Sequence, residues 1–240
     1  FYEDGTRISA YGETGKFIEE LYQKTGNSEK ALAIYNKLIE TDPNNAYVHL
    51  SLSDYYKSLG NEEKAKEELI LAFENPNLGI DSKVHILLNY FTLSGIKEGK
   101  TEEALFLGNV LVNTHPEEAK ARSIYGDLLY RVDSLHAARE QYRKAVEQDE
   151  SKFVLWSQIL IIGSQLNDNK SMYEEATKAV ELFPSQPSFY LFKGMAAAQL
   201  KEHEIAIEAL TTGKELVFDN PPLLAQFYSS LGDVYNKIEN

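Results

Sequence analysis

Four stretches of this chain can be laid over one another: "GNSEKALAIYNKLIETDP", "GNEEKAKEELILAFENP", "GKTEEALFLGNVLVNTHP" and "DSLHAAREQYRKAVEQD". Each opens on a Gly or Asp turn, runs through acidic residues to a small residue, and ends in a helix-stopping signal. The small residues are Ala31, Ala65, Ala104 and Ala138, and the same step then reaches Met172 and Ala206. The spacings are 34, 39, 34, 34 and 34 residues, and Pro43, Pro116 and Pro184 each fall twelve residues after the mark of their own repeat. Such a period means one supersecondary unit copied in tandem, each copy unable to bury its apolar face until the next one covers it.

Within one period the pattern reads as helix, turn, helix. Upstream of Ala31, the apolar residues Phe17, Ile18, Leu21 and Tyr22 recur at helical spacing. Gly26 and Asn27 interrupt them, and Ala31, Leu32, Ile34, Tyr35, Leu38 and Ile39 resume the pattern until Asp42-Pro43 stops it. The final stretch "LLAQFYSSLGDVYNKI" copies a first helix, with Tyr228, Leu231, Gly232 and Tyr235 in phase. Its partner helix would begin about where residue 240 falls, so part of its apolar face is expected to be uncovered. The opening on Phe1 rather than Met reads as a segment of something longer.

These marks resemble the tetratricopeptide repeat family. Its pattern sets a large apolar residue, Leu-Gly and Tyr in a first helix, then Ala, Phe or Tyr, Ala and Pro in a second. The first repeat supplies Tyr22, Gly26, Ala31, Tyr35 and Pro43; the second supplies Leu52, Tyr56, Gly60, Ala65 and Ala72. The fourth has Gly126, Ala138, Tyr142 and Ala145, the fifth Trp156, Ala179 and Pro184, and the sixth Tyr190, Gly194 and Ala206. Met172 replaces a small residue, Gly108 and Ala176 replace aromatics, and Gly163 stands where Tyr is usual. Repeats three and five are therefore expected to pack less typically. The resemblance implies an all-α fold, a right-handed superhelical solenoid of six helix-turn-helix pairs and a terminal half repeat. Residues 1–11 form a lead-in and 12–240 a single array, with repeats at about 12–45, 46–80, 81–118, 119–152, 153–186 and 187–223 and the half repeat at 224–240.

"SGIKEGKTEEAL" raises a competing reading, because Gly99-Lys100-Thr101 is close to the end of a phosphate-binding loop. That loop needs four residues between its glycines so that successive N–H groups cradle the phosphates, and here only Ile96, Lys97 and Glu98 separate Gly95 from Gly99. Gly99 instead stands before Ala104 as an inter-helix turn lengthened by a few residues, with Thr101 as N-cap and Glu102 and Glu103 on the positive end of the next helix. Other catalytic patterns are thin. The five histidines, His49, His85, His115, His136 and His203, are scattered over different repeats without a metal-ligand spacing, and no Gly-x-Ser-x-Gly occurs. Glu19-Glu20, Glu62-Glu63, Glu67-Glu68 and Glu174-Glu175 read as solvated helix exteriors. No cofactor or metal is expected.

The 240 residues carry a formal charge of -13 and no cysteine. A surplus of this sign opposes nucleic acid and anionic membranes and favours basic partners, while the missing thiols exclude disulfides and cysteine-ligated metals. No apolar run reaches membrane-span length, so direct membrane insertion is not expected. The repeat style leans toward a bacterial source, with the cell envelope ahead of the cytoplasm.

The resemblance implies that first helices line a concave groove for a peptide or partner helix. Groove positions are Tyr47, Leu50, Asp54, Asn89, Asp127, Tyr130, Val154, Ile161, Leu191 and Met195. The later ones look apolar and outward, which suits a partner segment with apolar anchors and basic flanks. Chaperone-binding members grip a C-terminal carboxylate with Lys and Asn side chains from three repeats. Here Lys16 is followed by Glu20, with Leu50 and Asp54 in the next repeat, so that clamp is not expected. A non-catalytic protein-interaction scaffold is the first reading. Self-assembly through the array ends is the alternative, and a nucleotide-binding enzyme is more remote.

Overall fold

The computed structural model describes residues 28–92 and 100–239, with side chains over 30–88 and 100–238. Phe17 to Tyr22, Gly26, Gly95, Gly99 and the side chain of Asn89 lie outside the described residues. Among those described, the regular structure is α-helical throughout.

Two compact units divide the chain at Pro116–Glu117. Unit 1 holds α1 (Ser28–Thr41), α2 (Ala46–Ser58), α3 (Glu62–Glu74), α4 (Ile80–Thr92) and α5 (Lys100–Thr114). Within it α2 packs on α1 and α3, and α5 packs on α3 and α4. Unit 2 holds α6 (Ala119–Arg131), α7 (Leu135–Gln148), α8 (Phe153–Gln165), α9 (Asn169–Leu182), α10 (Pro187–Gln199), α11 (His203–Glu215) and α12 (Pro221–Glu239). Consecutive helices pack there from α6 to α12, and α10 also touches α8 and α12.

The short first-helix turns share one device. Gly60, Asp133, Asn167 and Lys201 all have positive φ, 74°, 59°, 54° and 68°. The next residue's N–H reaches back over the last turn of the helix: Asn61 to Tyr56 O, Ser134 to Leu129 O, Asp168 to Gly163 O and Glu202 to Ala197 O. This left-handed cap satisfies carbonyls that the helix end would leave open, and glycine is the residue for which it costs least. Gly99 holds the same place in the 34-residue frame. The segment preceding it, α4, is a helix where a phosphate-binding loop would follow a strand. One detail differs from expectation: α5 already includes Lys100 and Thr101, so Thr101 is a first-turn residue and not the N-cap. Lys100 reaches Glu62 and Glu103 at 3.3 and 3.2 Å.

All six repeat marks are buried: Ala31, Ala65, Ala104, Ala138, Met172 and Ala206 are each at most 4% exposed. Small residues stand where helix backbones approach. A Cβ added to Gly126 would lie 2.7 Å from the Tyr142 ring, and one on Gly194 would lie 2.5 Å from Leu210. Overpacking a crossing of this kind costs about 1–3 kcal/mol. We therefore expect Ala138→Leu and Ala206→Leu each to lower the denaturation midpoint by that amount, with Ser123→Leu, at a half-buried site, costing much less. Equal losses at all three would place the crossings elsewhere.

The fifth repeat departs from the pattern for a visible reason. Where Tyr is usual, Gly163 leaves space that the Arg139 guanidinium of α7 occupies; a Cβ there would lie 2.7 Å from Nη2. Arg139 is 3% exposed and donates to Asp168 and Glu175, and Arg143 donates to the other oxygen of Glu175. Asp168 also caps α9 by accepting from the Ser171 N–H. Its carboxyl is held below the usual range by Ser171, with Arg139 adding to the effect against partial desolvation. Glu175 is thus no solvated exterior residue but the centre of a half-buried ion network.

Candidate binding surface

The expected groove residues divide between the two units. In unit 1, Tyr47 and Leu50 are half-buried and pack on Ala46, Ala72 and Leu78, so much of their surface belongs to the fold. Asp54 is exposed; surrounding protein raises its carboxyl pKa, opposed by the Lys57 charge. In unit 2, Asp127 accepts a 2.6 Å hydrogen bond from the Tyr142 hydroxyl. Desolvation lifts its pKa, against the lowering effects of that bond and of Arg131. The Tyr130 hydroxyl accepts from Gln165 Nε2 at 3.3 Å, tying α6 to the end of α8.

Farther along unit 2, Val154 is exposed in the first turn of α8 and Ile161 is half-buried. Leu191 corrects the sequence reading. Expected to point outward, it is 5% exposed in a core cluster with Phe227, Leu231 and Val234, because α12 lies against α10 and covers that flank. Counting positions along α10 could not show this, since the covering side chains come from about forty residues downstream.

Met195 lines a cavity. An open hollow of about 490 Å³ has Met195 and Met172 in its wall beside Asn167, Gln199, Asp233 and Asn236. Asn167 directly follows α8, Gln199 ends α10 and Asn236 belongs to α12, so the lateral contacts of these three helices bring the amides to one place. Each primary amide offers both a donor and an acceptor group, and Met195, half-buried, supplies adaptable apolar surface, while Met172 backs the wall from the core. This hollow is thus lined by amides as well as by Met195. Sequence reading missed Asn167, Gln199 and Asn236 because it sought apolar side chains in mid-helix, whereas these lie at helix ends or on the terminal helix.

Unit 1 also holds two charged groups that periodicity gave no reason to single out. Lys83 is fully buried, its ammonium donating to Asn75 O at 2.9 Å and lying 2.7 Å from His115 Nε2. Burial lowers its pKa to about 8. His49 is also buried, with Nδ1 2.7 Å from Glu68 Oε2 and Nε2 3.0 Å from Pro43 O. Both neighbours are acceptors, so the ring fulfils both bonds only as imidazolium. The bond to Glu68 raises its pKa, partly offset by desolvation and helped by Pro43. A raised folded pKa makes this stabilisation complete below the unfolded value near 6.5 and removes it as pH rises through the folded value. We expect the stability of unit 1 to fall in that window above pH 6.5, and His49→Gln to flatten the fall. A pH series of urea melts with the same slope for both proteins would contradict the assignment.

Comparison with known proteins agrees with the repeat geometry. Two tetratricopeptide repeat family models match residues 20–45 and 34–67. Residues 20–67 carry tetratricopeptide repeats. Human protein O-mannosyl-transferase TMTC3 is 25% identical to it over 218 residues, covering 86% of this chain and 24% of that protein. A rice SGT1 homolog is 31% identical over 96 residues, covering 40% and 25%. This repeat protein thus spans about a quarter of the length of those relatives. Among solved structures, YrrB, described as a TPR protein with an unusual peptide-binding site, aligns with a TM-score of 0.51 at 16% identity, covering 86% of this chain and 84% of that one. The C-terminal part of a TPR repeat-containing protein from Cytophaga hutchinsonii aligns at 0.52 and 16%, covering 94% and 89%. The tetratricopeptide repeats indicate a protein–protein interaction scaffold, and proteins of this fold are generally non-catalytic. No described helix is long and apolar enough to cross a membrane.

Proposed function

We propose that this scaffold holds an extended peptide segment of a partner protein in the hollow where α8, α10 and α12 meet. The observation that carries the reading is the convergence of Asn167, Gln199 and Asn236 around Met172 and Met195. Amides can bond both N–H and C=O groups of an extended backbone, while methionine accommodates apolar side chains of differing shape. The formal charge of -13 favours a segment with basic flanks through long-range attraction. Asp233 and Lys237 balance one another in the wall, so the bias against an acidic C-terminal tail comes from the net charge of the chain. The proposal takes residues 12–240 as one sequence of repeats in a common register and assigns the chain no catalytic step of its own.

The test is selection of a random displayed-peptide library on the purified protein. Recovered peptides should be enriched in Lys and Arg around an apolar residue, and Gln199→Lys combined with Asn236→Lys should weaken them at least about tenfold. Both substitutions fall on exposed positions, so the melt should hardly move. Strong binders that ignore the pair would remove the hollow as the site.

A further inference from the structure

Unit 1 has a hollow of its own, on the edge where each second helix hands over to a first helix. An open space of about 400 Å³ lies between the loop joining α1 to α2 and the loop joining α3 to α4. Pro43, Pro76 and Leu71 give it apolar walls, and Glu74 gives it a carboxylate. In unit 2 the matching interval, between the loops after α7 and α9, is filled by the rings of Phe153, Phe183 and Phe189, whose centres lie 5.0–6.0 Å apart. In the repeat frame the places of Phe153 and Phe183 are held in unit 1 by Ala46 and Pro76. Leu78 closes the inner part of the interval against Ala46 and Ala72, and the outer part stays open.

The hollow is held in shape by bonds of its own. The Asn75 side chain spans the two loops, donating to Asn44 O and accepting from the Asn77 N–H at 2.8 Å. On the core side Lys83 donates to Asn75 O, and His49 in the wall has both ring nitrogens engaged, by Glu68 and by Pro43 O. The unspent groups are the Glu74 carboxylate and the side-chain amides of Asn44 and Asn77, which have no hydrogen-bond or ion-pair partner among the described residues. Glu68 answers the His49 imidazolium and Asp42 adds a further negative charge beside it, so Lys83 is the one cation behind the floor and Glu74 stands uncompensated.

We propose that this hollow binds an arginine side chain of a partner protein. The methylene stem lies between Pro43, Pro76 and Leu71, which is 46% exposed, and the guanidinium faces Glu74. The planar fork pairs bidentately with a carboxylate, and its remaining N–H groups are answered by the amide oxygens of Asn44 and Asn77. A lysine ammonium carries its three donors on one atom and cannot span these acceptors. The volume is at the small end of ligand sites, roughly 300–1,000 Å³, and suits one long side chain with its adjoining backbone. The formal charge of -13 draws a basic segment toward the chain, and the preset loops lower the ordering cost of seating it. The site lies within unit 1 and does not depend on the peptide reading of the hollow among α8, α10 and α12.

Amide NMR spectra of the whole chain test this, with N-acetyl-arginine methylamide as the probe at a constant ionic strength of about 50 mM. The signals of Asn44, Glu74, Asn75 and Asn77 should move saturably with a dissociation constant of about 1–10 mM, and the neutral isostere N-acetyl-citrulline methylamide should bind at least about tenfold more weakly. Glu74→Gln should weaken the arginine probe to the level of the citrulline one while leaving the thermal melt in place, since Glu74 is exposed. Signals that stay in place up to about 40 mM probe overturn the proposal. So does equal binding of the citrulline isostere, which would show that the hollow takes an uncharged group. Binding that survives Glu74→Gln puts the cation on another carboxylate and also overturns it. A lysine probe that binds as tightly as the arginine one reduces the contact to a point charge and overturns the guanidinium assignment.

Discussion

Replacing Arg139 by alanine is expected to lower the stability of unit 2 by about 3 kcal/mol. The guanidinium fills the space beside Gly163 and faces two carboxylates, so its loss opens a void and leaves Glu175, with only 15% of its side chain exposed, beside Asp168 with one cation fewer. Asp168 keeps 39% of its side-chain exposure and Arg143 still reaches Glu175, which is why the figure belongs at the low end of the range for a broken buried pair. Combining Arg139→Ala with Gly163→Leu should recover part of the loss by filling the void with an apolar side chain. A double-mutant cycle in urea measures the coupling, and strict additivity would show that the two residues do not share that space.

Leu191→Glu is expected to be similarly severe, at about 3–5 kcal/mol, because it removes a core side chain and introduces a carboxylate among Phe227, Leu231 and Val234. Met195→Glu, four residues on, should cost far less, since Met195 is half-buried at the edge of the hollow and a carboxylate there can reach water. Thermal melts of the two variants decide the matter. If Leu191→Glu melts like the parent protein, α12 does not cover α10.

The contrast between these neighbours marks how far the residues alone could be read. Interior positions set by a repeating local pattern were legible: the six marks from Ala31 to Ala206 are buried, and Gly126 and Gly194 stand where helices approach. The uncovered part of α12 was legible for the same reason, since Tyr228 and Tyr235 keep the phase of a first helix. Leu191 was not, because its burial depends on a helix that begins thirty residues later. Arg139, Glu175 and Lys83 were not either: an isolated charged residue on an amphipathic helix reads as solvent-facing unless the residue that seats it is recognised, and for Arg139 that residue is a missing side chain at Gly163. The amides of the hollow repeat no motif and become neighbours through the lateral contact of α8, α10 and α12.

That lateral contact has a mechanical consequence. In unit 2 each helix touches those next to it or next but one, so opening one pair removes support from its immediate neighbours and little else. Cooperativity then decays along the stack instead of embracing the whole unit. Whatever is seated in the hollow lined by α8, α10 and α12 therefore braces several helices at once and raises the free energy at which that part of the stack opens.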